Sequence, residues 1–114
     1  MEKKQICVIG GGAAGMMAAI MAARAGAAVT LLEHNEKTGR KLLATGNGRC
    51  NLTNRYQSRE CYHSQKPETA WGILQQFSLT DTLEFFSEIG VSVKEKNGYF
   101  YPASMQASSV QQLL

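Results

Sequence analysis

The glycines at residues 10–15 form the pattern in this sequence that is best suited to bind a ligand. They match G-x-G-x-x-G. In that motif the first glycine permits a tight turn, the second lets backbone amides approach a pyrophosphate, and the third allows a helix to pack closely on a strand. A helix that begins here adds unsatisfied N–H groups and a partial positive charge. We therefore expect a phosphate-binding turn formed by Gly10, Gly12, Ala14 and Gly15.

An acidic residue stands where such a motif needs one. Glu33 lies 18 residues beyond Gly15, and a carboxylate at this distance can accept both hydroxyls of an adenosine ribose. It would also repel a 2′-phosphate, which disfavours NADP at this site. The residues alone leave NAD and FAD as alternatives, because both cofactors use the same motif.

The elements that must position these residues can be predicted from local patterns. Residues 5–9 are a short apolar, β-branched run that ends at the glycines, which is typical of a buried parallel strand. Residues 16–25 are strong helix formers that end at Gly26, and residues 28–32 form a second apolar run. Strand, helix and strand in this order predict a βαβ unit of an α/β fold.

Basic side chains are concentrated after Glu33. Residues 34–55 contain many glycines, asparagines and cations without a sustained period, which predicts a loop with one helical turn at 41–44. Ordered loops of this length are usually functional. We expect an anion here, with a phosphate contact from Lys41 or Arg49. Cys50 has no partner cysteine nearby, so it is expected to pack beside a cofactor rather than act as a redox thiol.

The second half of the chain has its own signals. Residues 68–77 form one predicted helix, and a second helix begins at Ser78, which has capping-box spacing to Asp81 and ends at Gly90. We expect this helix to bury Leu83, Phe86 and Ile89. Asn-Gly at 97–98 predicts a β-hairpin, and a further helix is expected from residue 106 onward. These signals suggest a division into residues 1–55 and residues 56–114.

Composition limits the function classes. The chain has 114 residues, 44% of them hydrophobic and 18% charged, with a net charge of +3, which indicates one globular domain and excludes disorder. The charge is too small to demand a nucleic-acid partner. Three cysteines without a C-x-x-C pair make a disulfide scaffold or a metal site unexpected. Glycines and Arg24 interrupt the apolar stretch at 6–32, so we expect no membrane partner and a cytoplasmic protein.

A longer stretch is similar to a known family. Residues 39–54 read GRKLLATGNGRCNLTN, and with residues 97–104 and 107–110 they resemble the signature of the HI0933-like bacterial flavoproteins. The resemblance covers nearly the whole chain. It implies the FAD-binding βαβ unit of a flavoprotein with two dinucleotide-binding domains, followed by the start of an inserted α+β region. It also implies an N-terminal fragment of a longer protein, whose remainder would be a partner.

The resemblance assigns further residues to the cofactor. In that family the first βαβ unit holds the ADP half of FAD, and a second loop lies along the pyrophosphate and the flavin. The residues of this chain that match the second loop are Gly39, Arg40, Lys41, Gly48, Arg49, Cys50 and Asn51.

Three functions follow as alternatives. The first is a flavin-dependent oxidoreductase that transfers hydride through FAD, with NAD(P)H as a possible co-substrate and an unidentified small-molecule substrate. Members of the family have been linked to reduction of steroid-type enones and to amine oxidation, so the resemblance does not select a substrate. The second is a non-catalytic truncated product, and the third is a dinucleotide-binding module that acts through a partner chain.

Overall fold

The first two strands and the helix between them form a parallel βαβ unit. The computed structural model describes residues 2–114 and contains β1 (Gln5–Ile9), α1 (Ala13–Arg24) and β2 (Ala28–Leu32). The strands pair in parallel from Gln5↔Ala28 to Ile9↔Leu32. α1 starts at Ala13 rather than at residue 16, because Gly12 is its N-cap and the first helical turn includes the last residues of the glycine motif. The prediction of a βαβ unit of an α/β fold is confirmed.

The second half combines helices with a small antiparallel sheet. The sheet has three strands, and the last of them in sequence lies in the middle. Its strands and the helices around it are β3 (Thr53–Asn54), α2 (Pro67–Gln76), α3 (Leu79–Glu88), β4 (Val93–Lys96), β5 (Tyr99–Pro102) and α4 (Ala107–Leu113). Within residues 2–114, no helix combines the length and the apolar character that crossing a membrane requires.

Two local predictions are confirmed in detail. The Ser78 hydroxyl accepts a hydrogen bond from the Asp81 amide at 3.1 Å, and the Asp81 carboxylate accepts one from the Ser78 amide at 2.8 Å. This capping box starts α3. At the hairpin, Asn97 and Gly98 have φ angles of 52° and 83°, the two positive values that a type I′ turn requires.

The buried face of α3 differs from the prediction. Phe85 is buried, whereas Leu83, Phe86 and Ile89 are only partly buried. The ring of Phe85 packs edge-on against Phe86, with 5.3 Å between centroids, and the Arg24 guanidinium lies 5.2 Å from its centre. Arg24 belongs to α1, so a distant element contacts Phe85, and the spacing of residues within α3 does not predict this contact.

The loop after β2 is more structured than the sequence indicates. A 3₁₀ segment runs over Lys41–Gly48 instead of 41–44, with a kink at Thr45, Gly46 and Asn47. β3 then pairs with β5 through Thr53↔Phe100 and Asn54↔Tyr99. β3 lies just before the expected boundary at residue 55 and joins the sheet of the following region, so the division into two parts stays a prediction.

A core cluster joins this loop to the end of the chain. Cys50, Val91, Ala107 and Val110 are buried against one another. Cys50 comes from the loop and the other three from the second half. The core therefore fixes the loop between the βαβ unit and α4.

The apolar strands of the βαβ unit are not buried as predicted. Ile9 is 85% exposed and Leu32 is 52% exposed. α1 packs on the sheet, but residues 2–114 contribute only two strands to it, so apolar side chains stay uncovered. The radius of gyration is 15.2 Å, against roughly 13 Å for a compact domain of this length, which reflects the open arrangement.

Candidate functional site

Two glycines of the motif are required by the backbone conformation and the packing of the turn. Gly10 has a φ angle of 100°, which L-residues rarely adopt, and its amide donates to the Leu32 carbonyl at 2.7 Å. A Cβ atom on Gly15 would lie 1.8 Å from the carbonyl oxygen of Gly10. Gly10 and Gly15 therefore make the turn between β1 and α1.

For Gly12, neither a positive φ angle nor a close contact among residues 2–114 requires a glycine. Its φ angle is −77°, which any residue adopts, and a Cβ built on it would have no atom within 4 Å. As N-cap of α1 it stands before the first-turn amides of Ala13, Ala14 and Gly15. No side chain among residues 2–114 caps this helix, and its first turn holds no acidic residue. The open space in front of these amides suits an anion.

The Glu33 carboxylate is held at this turn by hydrogen bonds. One oxygen accepts from the Gly11 amide at 2.9 Å, and the other accepts from the backbone and side-chain nitrogens of Asn35, each at 2.8 Å. The amide bonds from Asn35 and then Gly11 lower the pKa of Glu33 below its ordinary value of 4.5. A carboxylate has about four lone-pair sites, so about one remains for a ligand.

A cleft of about 600 Å³ opens beside this carboxylate. Arg40 lies in its wall and donates to the Asn35 side chain at 3.2 Å. The cleft therefore places two cations, one anion and the start of α1 around one space. Its lining residues are Gly11, Gly12, Glu33, His34, Asn35, Arg40, Lys41 and Ala44.

A smaller cleft of about 360 Å³ adjoins the first. It shares Glu33 and His34 with the first cleft and has apolar walls formed by Ile9 and Leu32. The His34 ring nitrogen Nδ1 lies 3.5 Å from the Glu33 carboxylate. The two clefts therefore meet at Glu33 and His34, and only the larger one is also lined by Arg40 and Lys41.

Gly39 fastens the loop after β2 to the glycine turn. Its amide donates to the Gly11 carbonyl at 2.7 Å, so Gly11 is bonded to Glu33 through its N–H and to Gly39 through its C=O. Gly39 has a φ angle of 72°, and a Cβ there would lie 3.2 Å from the Met16 side chain. A side chain at position 39 would therefore crowd Met16 in addition to straining the backbone.

The remaining loop residues lie outside the lining of this cleft. The Arg49 guanidinium lies 5.5 Å from the centre of the Tyr101 ring, and its Nε donates to the Gly46 carbonyl. Cys50 is 2% exposed in the core cluster, where burial raises its pKa. Asn51 lines a separate cleft beside β3, and Gly48 has a φ angle of 83° in the turn before Arg49.

The basic residues of this region differ in whether they form ion pairs within the chain. Arg55 pairs with Glu95, and Arg59 pairs with Glu68. Their charges are therefore neutralised within the chain, while Arg40 and Lys41 stand in the wall of the cleft. Within residues 2–114, no three His, Cys, Asp or Glu side chains are grouped so that they could hold a metal ion.

Sequence reasoning missed several residues of the cleft. Gly11, Asn35 and Ala44 line it, but only Gly11 belongs to a motif. Asn35 lies two residues after Glu33, and this spacing lets its amide bond back to the carboxylate. That spacing is the one local signal that could have identified Asn35.

Comparisons with known proteins show which sequences this chain resembles. Residues 4–114 match the family model of the HI0933-like protein Rossmann domain. The chain is 53% identical over 112 residues to a 3-dehydro-bile acid delta(4,6)-reductase of Clostridium scindens, covering 96% of this chain and 27% of that protein. It is 38% identical over 96 residues to a ribosomal RNA dihydrouridine synthase of Escherichia coli, covering 84% and 24%. A protein of the same name from Haemophilus influenzae is 36% identical over 89 residues, covering 78% and 22%.

The chain spans about a quarter of the length of these curated relatives. The match to the family model, by contrast, covers nearly all residues of this chain. The glycine turn, the parallel strand pair and the helix between them are the features expected of such a domain. The chain therefore belongs to the HI0933-like protein Rossmann domain family.

Proposed function

We propose that this chain is the FAD-binding part of a flavin-dependent oxidoreductase. The observation that carries the proposal is the start of α1, where no side chain of residues 2–114 caps the first-turn amides and Gly12 leaves open space before them. A ligand that approaches these amides closely would need a glycine at this position. The family match and the 53% identity to a reductase support an oxidoreductase.

The residues present fit the ADP half of FAD. The amides at the start of α1 and the cations Arg40 and Lys41 would hold the pyrophosphate in the 600 Å³ cleft. Glu33 would accept a ribose hydroxyl through its free lone pair, which is one hydroxyl rather than the two expected from the sequence. The adenine would lie in the smaller cleft, against the side chains of Ile9 and Leu32.

The second loop is proposed to continue along the same cofactor. Gly39 holds the loop to the turn, and Gly48, Arg49 and Asn51 would lie toward the flavin end. The Cys50 side chain is occupied in the core, so only its backbone is free to contact a cofactor. Its raised pKa argues against a thiolate function.

FAD would supply hydride transfer, with a nicotinamide nucleotide as the donor. The chain itself contributes binding, orientation and charge. Its identity to the Clostridium scindens reductase is higher than its identity to the two ribosomal RNA dihydrouridine synthases, which favours a small-molecule substrate. Modified ribosomal RNA is the second candidate substrate.

The experiment that tests this proposal identifies the bound nucleotide. The complete gene product is purified, denatured, and its released cofactor is separated by chromatography. We expect FAD in a ratio approaching one per chain, and bleaching of its visible absorbance by NADH or NADPH. Release of NAD, or of no nucleotide after incubation with excess FAD, would contradict the proposal and favour a module without redox function.

A further inference from the structure

The loop that carries Arg40 is fastened at two points. One is the bond from the Gly39 amide to the Gly11 carbonyl at 2.7 Å. The other comes from α4, where the Gln111 side-chain nitrogen donates to the Thr38 carbonyl at 2.8 Å. The two bonds act on consecutive residues immediately before Arg40 and Lys41. They therefore set where these cations enter the cleft.

Gln111 also packs against the same segment. A Cβ on Gly39 would lie 3.3 Å from Cγ of Gln111 and 3.2 Å from Cε of Met16. Gly39 is thus enclosed between α1 and α4 and is itself buried. The hydrocarbon part of Gln111 fills space, whereas its amide makes the directional bond.

The backbone of α4 at Gln111 is held in place by its neighbours. Val110, the preceding residue, is fully buried in the core cluster with Cys50 and Ala107. α4 packs on the 3₁₀ segment that begins at Lys41. Because α4 is held by the core cluster and by this segment, the Gln111 amide can act as a fixed donor.

We propose that Gln111 is a positioning residue for cofactor binding. Its bond to Thr38 holds residues 38–41 so that Arg40 and Lys41 face the start of α1, where the proposed pyrophosphate lies. This inference rests on the proposed function. It assigns a role in the nucleotide site to a residue 73 positions away from the loop that it holds.

The test separates the hydrogen bond of the Gln111 side-chain amide from the packing of its hydrocarbon part. Gln111→Met keeps the length of the side chain and removes the donor, and Gln112→Met makes the same change at the neighbouring exposed position. ADP binding to the flavin-free complete gene product is measured by calorimetry at about 0.1 M and about 1 M salt. We expect about fivefold weaker binding for Gln111→Met at low salt, the size of one net hydrogen bond, and unchanged binding for Gln112→Met.

The salt dependence of ADP binding shows whether the loss of affinity in Gln111→Met is caused by displacement of Arg40 and Lys41. The Debye length falls from about 10 Å at 0.1 M salt to about 3 Å at 1 M salt, so the difference between wild type and Gln111→Met should narrow at high salt. An equal loss at both salt concentrations, or no loss, would overturn the proposal. A purely structural effect would lower the unfolding temperature of the ligand-free variant without this dependence on salt.

Amide hydrogen exchange provides a second measurement that does not depend on binding. Gln111→Met should exchange faster at residues 38–41 and at the wild-type rate elsewhere, whereas Gln112→Met should match wild type throughout. Unchanged exchange at residues 38–41 would overturn the inference. Failure of the wild-type protein to bind ADP would instead contradict the proposed function, and exchange would then decide whether Gln111 holds the loop.

Discussion

The carboxylate of Glu33 accepts a hydrogen bond from the backbone amide of Gly11 at 2.9 Å. This bond joins the end of β2 to the middle of the glycine turn. Gly11 in turn accepts from Gly39, so the acidic residue, the turn and the basic loop form one connected structure. A change at Glu33 is therefore expected to affect both ligand contact and the shape of the turn.

The lowered pKa of Glu33 makes a prediction about pH. Its folded-state pKa lies below the ordinary value of 4.5, so the ionised carboxylate stabilises the fold above that value and loses this effect as pH falls through the lower folded pKa. Wild type minus Glu33→Gln should therefore show a constant stability difference from pH 5 to pH 8 that shrinks below about pH 4. Urea unfolding of both proteins across this range measures it, and a difference that grows on acidification would be the wrong sign.

Glu33 should also discriminate between cofactors. Its carboxylate can bond a ribose hydroxyl but repels a 2′-phosphate. Glu33→Ala should therefore weaken FAD binding by about tenfold or more, and it should weaken NADP binding less or even strengthen it, because the change also removes the repulsion of the 2′-phosphate. Calorimetry with the complete gene product makes the comparison, and an equal loss for both nucleotides would mean that Glu33 acts only through its bond to Gly11.

Gly15 is predicted to be indispensable for folding rather than for binding alone. A methyl group there would meet the Gly10 carbonyl at 1.8 Å, so Gly15→Ala must displace the turn or the start of α1, at a cost of about 3 kcal/mol. Gly72→Ala is the matched control, since a Cβ there has no atom within 4 Å. Chemical unfolding should show a large loss in the free energy of unfolding for Gly15→Ala and no loss for Gly72→Ala. Equal stabilities of the two variants would contradict the packing of Gly15 against Gly10.

The uncovered strands predict the behaviour of the 114-residue chain produced alone. Ile9 and Leu32 expose apolar surface next to an open sheet edge, which favours association with other chains. We expect concentration-dependent self-association in sedimentation experiments and strong binding of a hydrophobic dye. Ile9→Lys should reduce both without loss of stability, because this side chain is already exposed. A monomer that binds no dye would contradict this prediction.

The parts of the fold that the sequence predicts correctly are those with local causes. The βαβ unit follows from apolar runs and glycines, the start of α3 from the Ser78 and Asp81 pair, and the hairpin from the positive φ angles that Asn97 and Gly98 tolerate. The same holds for the glycine turn, whose residues are contiguous. For these features, residues within a few positions of one another decide the structure.

Features that depend on distant partners could not be predicted in this way. The burial of Cys50 requires Val110, and the bond to Thr38 requires Gln111, but no short-range pattern pairs these positions. The exposure of Ile9 differs from the buried strand that residues 5–9 predict, because burial depends on whether another element covers the sheet. The roles of the individual site residues and the boundary at residue 55 stay predictions.

The measurement that tests the central claim most directly is flavin retention by Gly12→Val. Gly12 tolerates a side chain conformationally and has open space around it, so the variant should fold, with its far-ultraviolet circular dichroism unchanged. Gly72→Val serves as the control, because that position is also free of neighbours within 4 Å. We predict that Gly12→Val is purified without visible flavin absorbance and does not take up added FAD, whereas Gly72→Val retains FAD. A folded Gly12→Val protein that carries FAD in the wild-type ratio would contradict the placement of the cofactor at the start of α1.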